Sequence, residues 1–353
     1  MKKIVIPVLA VILAVLIFGC SRDDILTNPV NSTQGIFVLY EGGSTAGSGD
    51  YSFINIANDS VFNDVYQNSN QNSNLGLFPD GLVLSGTNLF VTSQGSFGGP
   101  GKIFKINSAD NKLVSSAVIG TNPYDLVVTA SGIFVTNTSS DYVTKLDPDF
   151  ANPTSISVGS SPSKIIFAEN NVFVAKQSYT GENSLAIINP SSLQVSKIFF
   201  SSPPVSVESM PGAIYVSTFT SKKLYVVDSD LLTLIDSVEF SAPEFTNTAV
   251  GEVVSGDAST LYVVGLDTSA FYSTGKAVYK VNIPNKSVSV FINDPAINDI
   301  YGIAYDAVNK RVVIADSRFG VENGQVRVYN NDGSIRNTYT IGGKFPRKIV
   351  FKY

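Results

Sequence analysis

A short apolar phrase recurs seven times along the chain and constrains its fold more than any other feature. It reads Ile36-Phe37-Val38, Leu89-Phe90-Val91, Ile133-Phe134-Val135, Val172-Phe173-Val174, Ile214-Tyr215-Val216, Leu261-Tyr262-Val263 and Val312-Val313-Ile314. The central residues are spaced 39 to 53 positions apart. Repetition at that period marks a radially repeated β-architecture, with one four-stranded blade per repeat.

Four elements can be read in each repeat. The first is often led by proline, as in Pro79-Asp80-Gly81-Leu82, Pro123-Tyr124-Asp125-Leu126, Pro162-Ser163-Lys164-Ile165 and Pro204-Val205-Ser206-Val207. In these four repeats the proline lies 11 residues before the aromatic of the phrase. Proline fixes φ at the entrance to a strand, where no ladder donor is needed. The phrase itself is the second strand. The third alternates apolar residues and stops at Asn or Asp, as in Ile103-Phe104-Lys105-Ile106-Asn107 and Leu224-Tyr225-Val226-Val227-Asp228, residues that favour turns. The fourth is ragged and polar, as an outer edge should be.

The chain ends fix the topology. Pro346-Arg347-Lys348-Ile349-Val350-Phe351 matches the proline-led first strand, and the folded region starts on a second strand at Gly35. The two fragments complete one blade and remove two exposed edges. The expected fold is all-β: a seven-bladed β-propeller of four-stranded antiparallel blades over 35–353, closed by the C-terminal strand.

Composition excludes several chemistries. The chain has 353 residues, 44% of them hydrophobic and 15% charged, with a net charge of −5. With no Lys/Arg cluster in the mature region, a nucleic-acid partner is not expected. The absence of His removes His-based acid–base catalysis and His metal sites, and the absence of Trp removes WD-type repeats. Cys20 is the only cysteine, so no intrachain disulfide can form. Asp147-Pro148-Asp149 and Asp228-Ser229-Asp230 lack the oxygen set of a calcium loop and read as turns. Gly98-Gly99-Pro100-Gly101 has no Lys-Ser/Thr or helix after it and reads as loop punctuation. No metal and no cofactor are expected beyond a covalent lipid at Cys20.

The N-terminus reads as an address. Met1-Lys2-Lys3 precedes an apolar run from Ile4 to Phe18 that is too short to span a bilayer and suits a signal-peptide core. Ile17-Phe18-Gly19-Cys20 resembles the lipobox of bacterial lipoproteins, which implies cleavage before Cys20 and lipidation of its thiol. Ser21-Arg22-Asp23-Asp24 is similar to the surface-export signal of Bacteroidetes lipoproteins. Residues 1–20 are thus a lipoprotein signal, 21–34 a flexible tether, and the membrane a partner through the anchor. The expected location is the outer membrane, facing the cell surface or, alternatively, the periplasm.

Ile133-Phe134-Val135-Thr136-Asn137 resembles the Tyr-Val-Thr-Asn core of the YVTN, or YncE-like, repeat propellers, and the proline-led first strand matches it too. The last blade, with Gly302-Ile303-Ala304-Tyr305-Asp306 and Ile314-Ala315-Asp316-Ser317, is similar to an NHL repeat. This resemblance covers Gly35 to Tyr353 and implies the fold; some similar surface propellers of Bacteroidetes capture corrinoids. Two blades depart from the pattern: the first carries the insert Asn68 to Asn74, and the sixth lacks the proline.

Loops between second and third strands vary most in length and share a face with the entrances of the first strands. They nominate Tyr40, Gln94, Phe97, Gln177, Tyr179, Phe271, Tyr272, Arg318 and Phe319 as ligand-binding residues, since aromatics beside amides and charges suit a small polar solute, a glycan or a peptide. Glu208 and Glu252 fall in or near innermost strands, where a channel-wall carboxylate can bind a cation or act as a base. The expected function is ligand binding at a membrane surface, with a hydrolase of lactonase type or an adhesion module as alternatives. No catalytic residue is nominated.

Overall fold

The computed structural model describes residues 33–353 except 96–97, 177–181, 220, 242–246 and 270–272. The expected signal, Cys20 and nearly all of the expected tether lie outside the described residues. Among the described residues, twenty-eight strands form seven four-stranded antiparallel sheets, the expected seven-bladed propeller. Each blade after the first is built from four consecutive strands. The first combines β28 (Pro346–Lys352) with β1 (Gly35–Tyr40), β2 (Asp50–Asn55) and β3 (Ser60–Phe62), in that order. Val38 pairs with Ile349 and Gly35 with Lys352, so the last strand closes the ring.

The recurrent phrase is the ring's core. Successive strand residues face opposite sides of a sheet, and here the two sides of each blade meet different neighbours. Phe37 packs with Leu82, Val91 and Phe104 of the next blade, while Ile36 and Val38 pack with Val313, Val326 and Ile341 of the preceding one. The same division holds at Phe90, Phe134, Phe173, Tyr215, Tyr262 and Val313: the centre of the phrase faces forward and its flanks face back. No residue of the seven phrases is more than 5% exposed. The core is therefore seven inter-blade sandwiches.

The polar residue after the phrase ties blades together. The Thr92, Thr136 and Ser217 hydroxyls donate to the carbonyls of Tyr124 (2.9 Å), Ser163 (2.7 Å) and Gly251 (2.7 Å) in the following blade. Close approach of the blades also explains the glycine near the start of the inner strand 300–306. A β-carbon on Gly302 would fall 2.2 Å from the Arg347 carbonyl oxygen.

One departure from the repeat takes a definite form, and one local expectation changes. The Asn68–Asn74 insert contains the end of a short helix, α1 (Val65–Ser69), whose Tyr66 and Gln67 amides donate to Asp50 at 2.9 and 3.0 Å. The glycine-rich run Gly98 to Gly101 is not wholly loop, because β6 (Pro100–Asn107) begins within it. Asp147 and Asp228 do serve turns: Asp147 accepts from the Asn152 amide at 2.7 Å, and Asp228 from the amides of Asp230 and Leu231.

Candidate functional site at the channel mouth

Seven strands line the central channel: β4 (Pro79–Ser85), β8 (Pro123–Thr129), β12 (Pro162–Ala168), β16 (Pro204–Met210), β20 (Thr248–Ser255), β24 (Ile300–Asp306) and β28. Every one carries a register shift at its entrance, after Pro79, Pro123, Pro162, Pro204, Val250 and Ile300 and between Pro346 and Lys348. A β-bulge bends its strand and re-aims side chains. Here the residues at the shifts include Asp80, Tyr124, Asp125, Lys164, Glu252, Tyr301, Arg347 and Lys348, and seven bulges at one level collect them around the axis.

A cavity of about 180 Å³ opens among them, with Tyr124, Lys164, Glu252, Tyr301, Arg347 and Lys348 in its wall. Arg347 sits against the face of Tyr124, its guanidinium carbon 4.3 Å from the ring centre, and 5.5 Å from that of Tyr301. Such stacking stabilises a guanidinium and fixes its plane. Its Nη1 donates to Glu41 Oε1 at 2.6 Å and lies 3.5 Å from Asp80. The Tyr301 hydroxyl donates to the same Glu41 oxygen at 2.9 Å. Lys348 bonds Asp125 at 2.8 Å, and Lys164 pairs with Glu252.

Burial and pairing set the charge states. Burial opposes the charged form of Arg347, but Asp80 and Glu41 outweigh it and hold its pKa above the ordinary value. Lys164 follows the same logic through Glu252, Asp125 and Glu208. Burial lowers the Lys348 pKa, with Asp125 opposing and Lys164 reinforcing the shift. Burial pushes Asp80 up to about 7, against the pull of Arg347 and with a further push from Glu41. Glu208 is likewise raised by burial, Lys164 opposing. The mouth thus sets three basic side chains beside the carboxylates that pair with them.

The residues nominated from the loops do not assemble into this site. Tyr40 is not a loop aromatic: β1 continues through it, it is fully buried, and its hydroxyl donates to Asp64 at 2.6 Å. Its ring fills the space over Gly343, where a β-carbon would lie 2.1 Å from Cδ2. Gln94 stands behind the mouth, with its amide nitrogen on Asp80 and its oxygen accepting from Asn122 at 3.2 Å. Arg318 and Phe319 form a 3-10 turn in left-handed conformation on the rim. Arg318 pairs there with Glu322, and half-exposed Phe319 lies under Lys276, 5.3 Å from the ring centre. Phe97, Gln177, Tyr179, Phe271 and Tyr272 lie outside the described residues. Of the two channel carboxylates, Glu252 reaches the cavity wall and Glu208 is not in it.

Arg347, Lys348, Tyr124, Asp125, Lys164, Asp80, Tyr301 and Glu41 are the residues that the loop argument passes over. The signal for most of them is the entrance of the first strand. Pro-Tyr-Asp, Pro-Ser-Lys and Pro-Arg-Lys each place two polar residues together at the start of a strand that should alternate. Two in succession mark a bulge rather than a regular ladder.

A family profile described as "Domain of unknown function (DUF5074)" matches residues 34–352. No curated protein matches the chain by sequence. Among solved structures, a quinonprotein alcohol dehydrogenase-like protein from Bacteroides thetaiotaomicron superposes with a TM-score of 0.69 at 15% identity, over 90% of this chain and 78% of that one. The periplasmic gluconolactonase of Pseudomonas aeruginosa gives 0.65 at 12%, over 90% and 99%. At such identities the likeness is one of fold.

Proposed function

The chain belongs to the DUF5074 family, and from that premise we propose that it is a binding protein that takes a small polar solute at the mouth of its propeller channel, held at a membrane surface by a lipid on Cys20. The observation that carries the reading is the cavity wall itself. Three cations and their carboxylates are mostly buried around an open space, although desolvating ions is costly until pairing repays it. A channel that only had to close a ring needs no such charges; ordered donors around a cavity are what a solute site requires.

The lipobox-like N-terminus supports the anchored part of the reading, and the YVTN resemblance the binding part. Solute capture in nutrient uptake suits a protein tethered in this way.

The test is a melting-temperature screen of the full-length protein, purified in detergent, against monosaccharides, amino acids, short peptides and a corrinoid. A binder found this way should lose at least tenfold in affinity with Tyr124→Ala and be unaffected by Phe319→Ala on the rim. Equal loss from both variants, or loss from the rim alone, would move the site away from the channel. Cys20→Ala should leave an unprocessed precursor; a processed, acylated alanine variant would remove the anchor.

A further inference from the structure

We infer that the solute taken at the channel mouth carries an oxyanion, a carboxylate or a phosphate ester. This rests on the solute-binding reading above and adds the ligand's charge. The carboxylates that neutralise the mouth are not distributed evenly around the cavity. Its wall contains Lys164, Arg347 and Lys348 but only one acid, Glu252. Glu41, Asp80 and Asp125, which pair with Arg347 and Lys348, stand behind them and outside the wall.

The hydrogen-bond inventory points the same way. A lysine ammonium has three donors and a guanidinium five. Lys164 and Lys348 each spend one on a carboxylate, and Arg347 bonds only through Nη1 among the described residues. The Tyr301 hydroxyl donates to Glu41 and accepts a long bond, 3.4 Å, from Arg347 Nη1, and the Ser163 hydroxyl donates to the Ala175 carbonyl; such hydroxyls accept without carrying charge. The cavity wall therefore presents several unspent cationic donors against one carboxylate, Glu252, which Lys164 already engages. An oxyanion supplies the missing acceptors and the opposite charge together, and charge-assisted bonds of this kind are the strong ones. A cationic solute would instead face three positive groups. Fixed stacking of Arg347 on Tyr124 keeps its donors in place before the ligand arrives.

One sugar ring in four charge states tests this: glucuronate, glucose 1-phosphate, glucose and glucosamine, each titrated calorimetrically into the full-length protein. One or both anions should bind at least tenfold more tightly than glucose, with glucosamine weakest; whichever anion binds identifies the oxyanion. Lys348→Met and Lys164→Met should each weaken the anion at least tenfold, and Glu252→Gln should tighten it by freeing Lys164. Glucose or glucosamine binding as tightly as the anions overturns the charge assignment and leaves the solute reading standing. Failure of all four overturns the charge assignment too, and the separate solute screen then judges the broader reading.

Discussion

Arg347 and Glu41 stand 306 positions apart in the chain and 2.6 Å apart in space. Arg347 belongs to the strand that closes the ring, and Glu41 directly follows the strand on which it closes. One ion pair therefore joins the ends of the fold, and the strand that closes the ring also brings Arg347 to the cavity wall.

Arg347→Met should cost about 3 kcal/mol, the low end of what breaking a buried pair costs, because Asp80 can take up a proton once its cation is gone. Urea unfolding measures this. Deleting Arg347 to Tyr353 should cost far more, since it strips β1 of its inner partner and opens two edges. A deleted chain that keeps the wild-type melting temperature and stays monomeric would contradict closure by the last strand.

Asp80 should make stability fall as pH rises from about 4 to about 7. Its folded pKa is raised to about 7 from an ordinary 3.8, so in that window the folded chain holds a proton that the unfolded chain has released. The contribution is greatest at the acid end and is lost as pH climbs through the folded value. Unfolding free energies of the wild type and Asp80→Asn, compared between pH 4 and pH 8, should show the wild type losing ground relative to the variant. A constant difference would mean that Asp80 does not titrate there.

Thr136→Val keeps the shape of the side chain and removes its hydroxyl. That hydroxyl accepts from the Asp125 amide at 3.0 Å and donates to the Ser163 carbonyl at 2.7 Å, all within buried surroundings. Leaving both groups unpaired should cost roughly 1–3 kcal/mol. Chemical denaturation checks this, and a neutral result would remove the hydroxyl from the account of blade cohesion.

The architecture was legible because it repeats. Each phrase buries its centre against one neighbour and its flanks against the other, so seven copies state both the number of blades and their packing. The unmatched proline-led segment at the C-terminus stated the closure. The site was harder to read because it arises where the repeat is broken. A regular ladder would alternate the residues after Pro123 or Pro346, and only the bulge turns Tyr124 and Arg347 toward one cavity. Tyr40 shows the converse: its loop-edge position suggested exposure, but one further strand pair, with Asp50, buries it.

Hydrogen exchange on the liganded protein tests the central claim most directly. A ligand from the solute screen, added at saturation, should slow exchange in peptides covering 79–85, 123–129 and 346–352, the entrances that meet at the mouth. Peptides covering 316–324 on the rim should be unchanged. Protection confined to the rim, or to turns such as 85–88 on the opposite face, would contradict a solute site at the channel mouth.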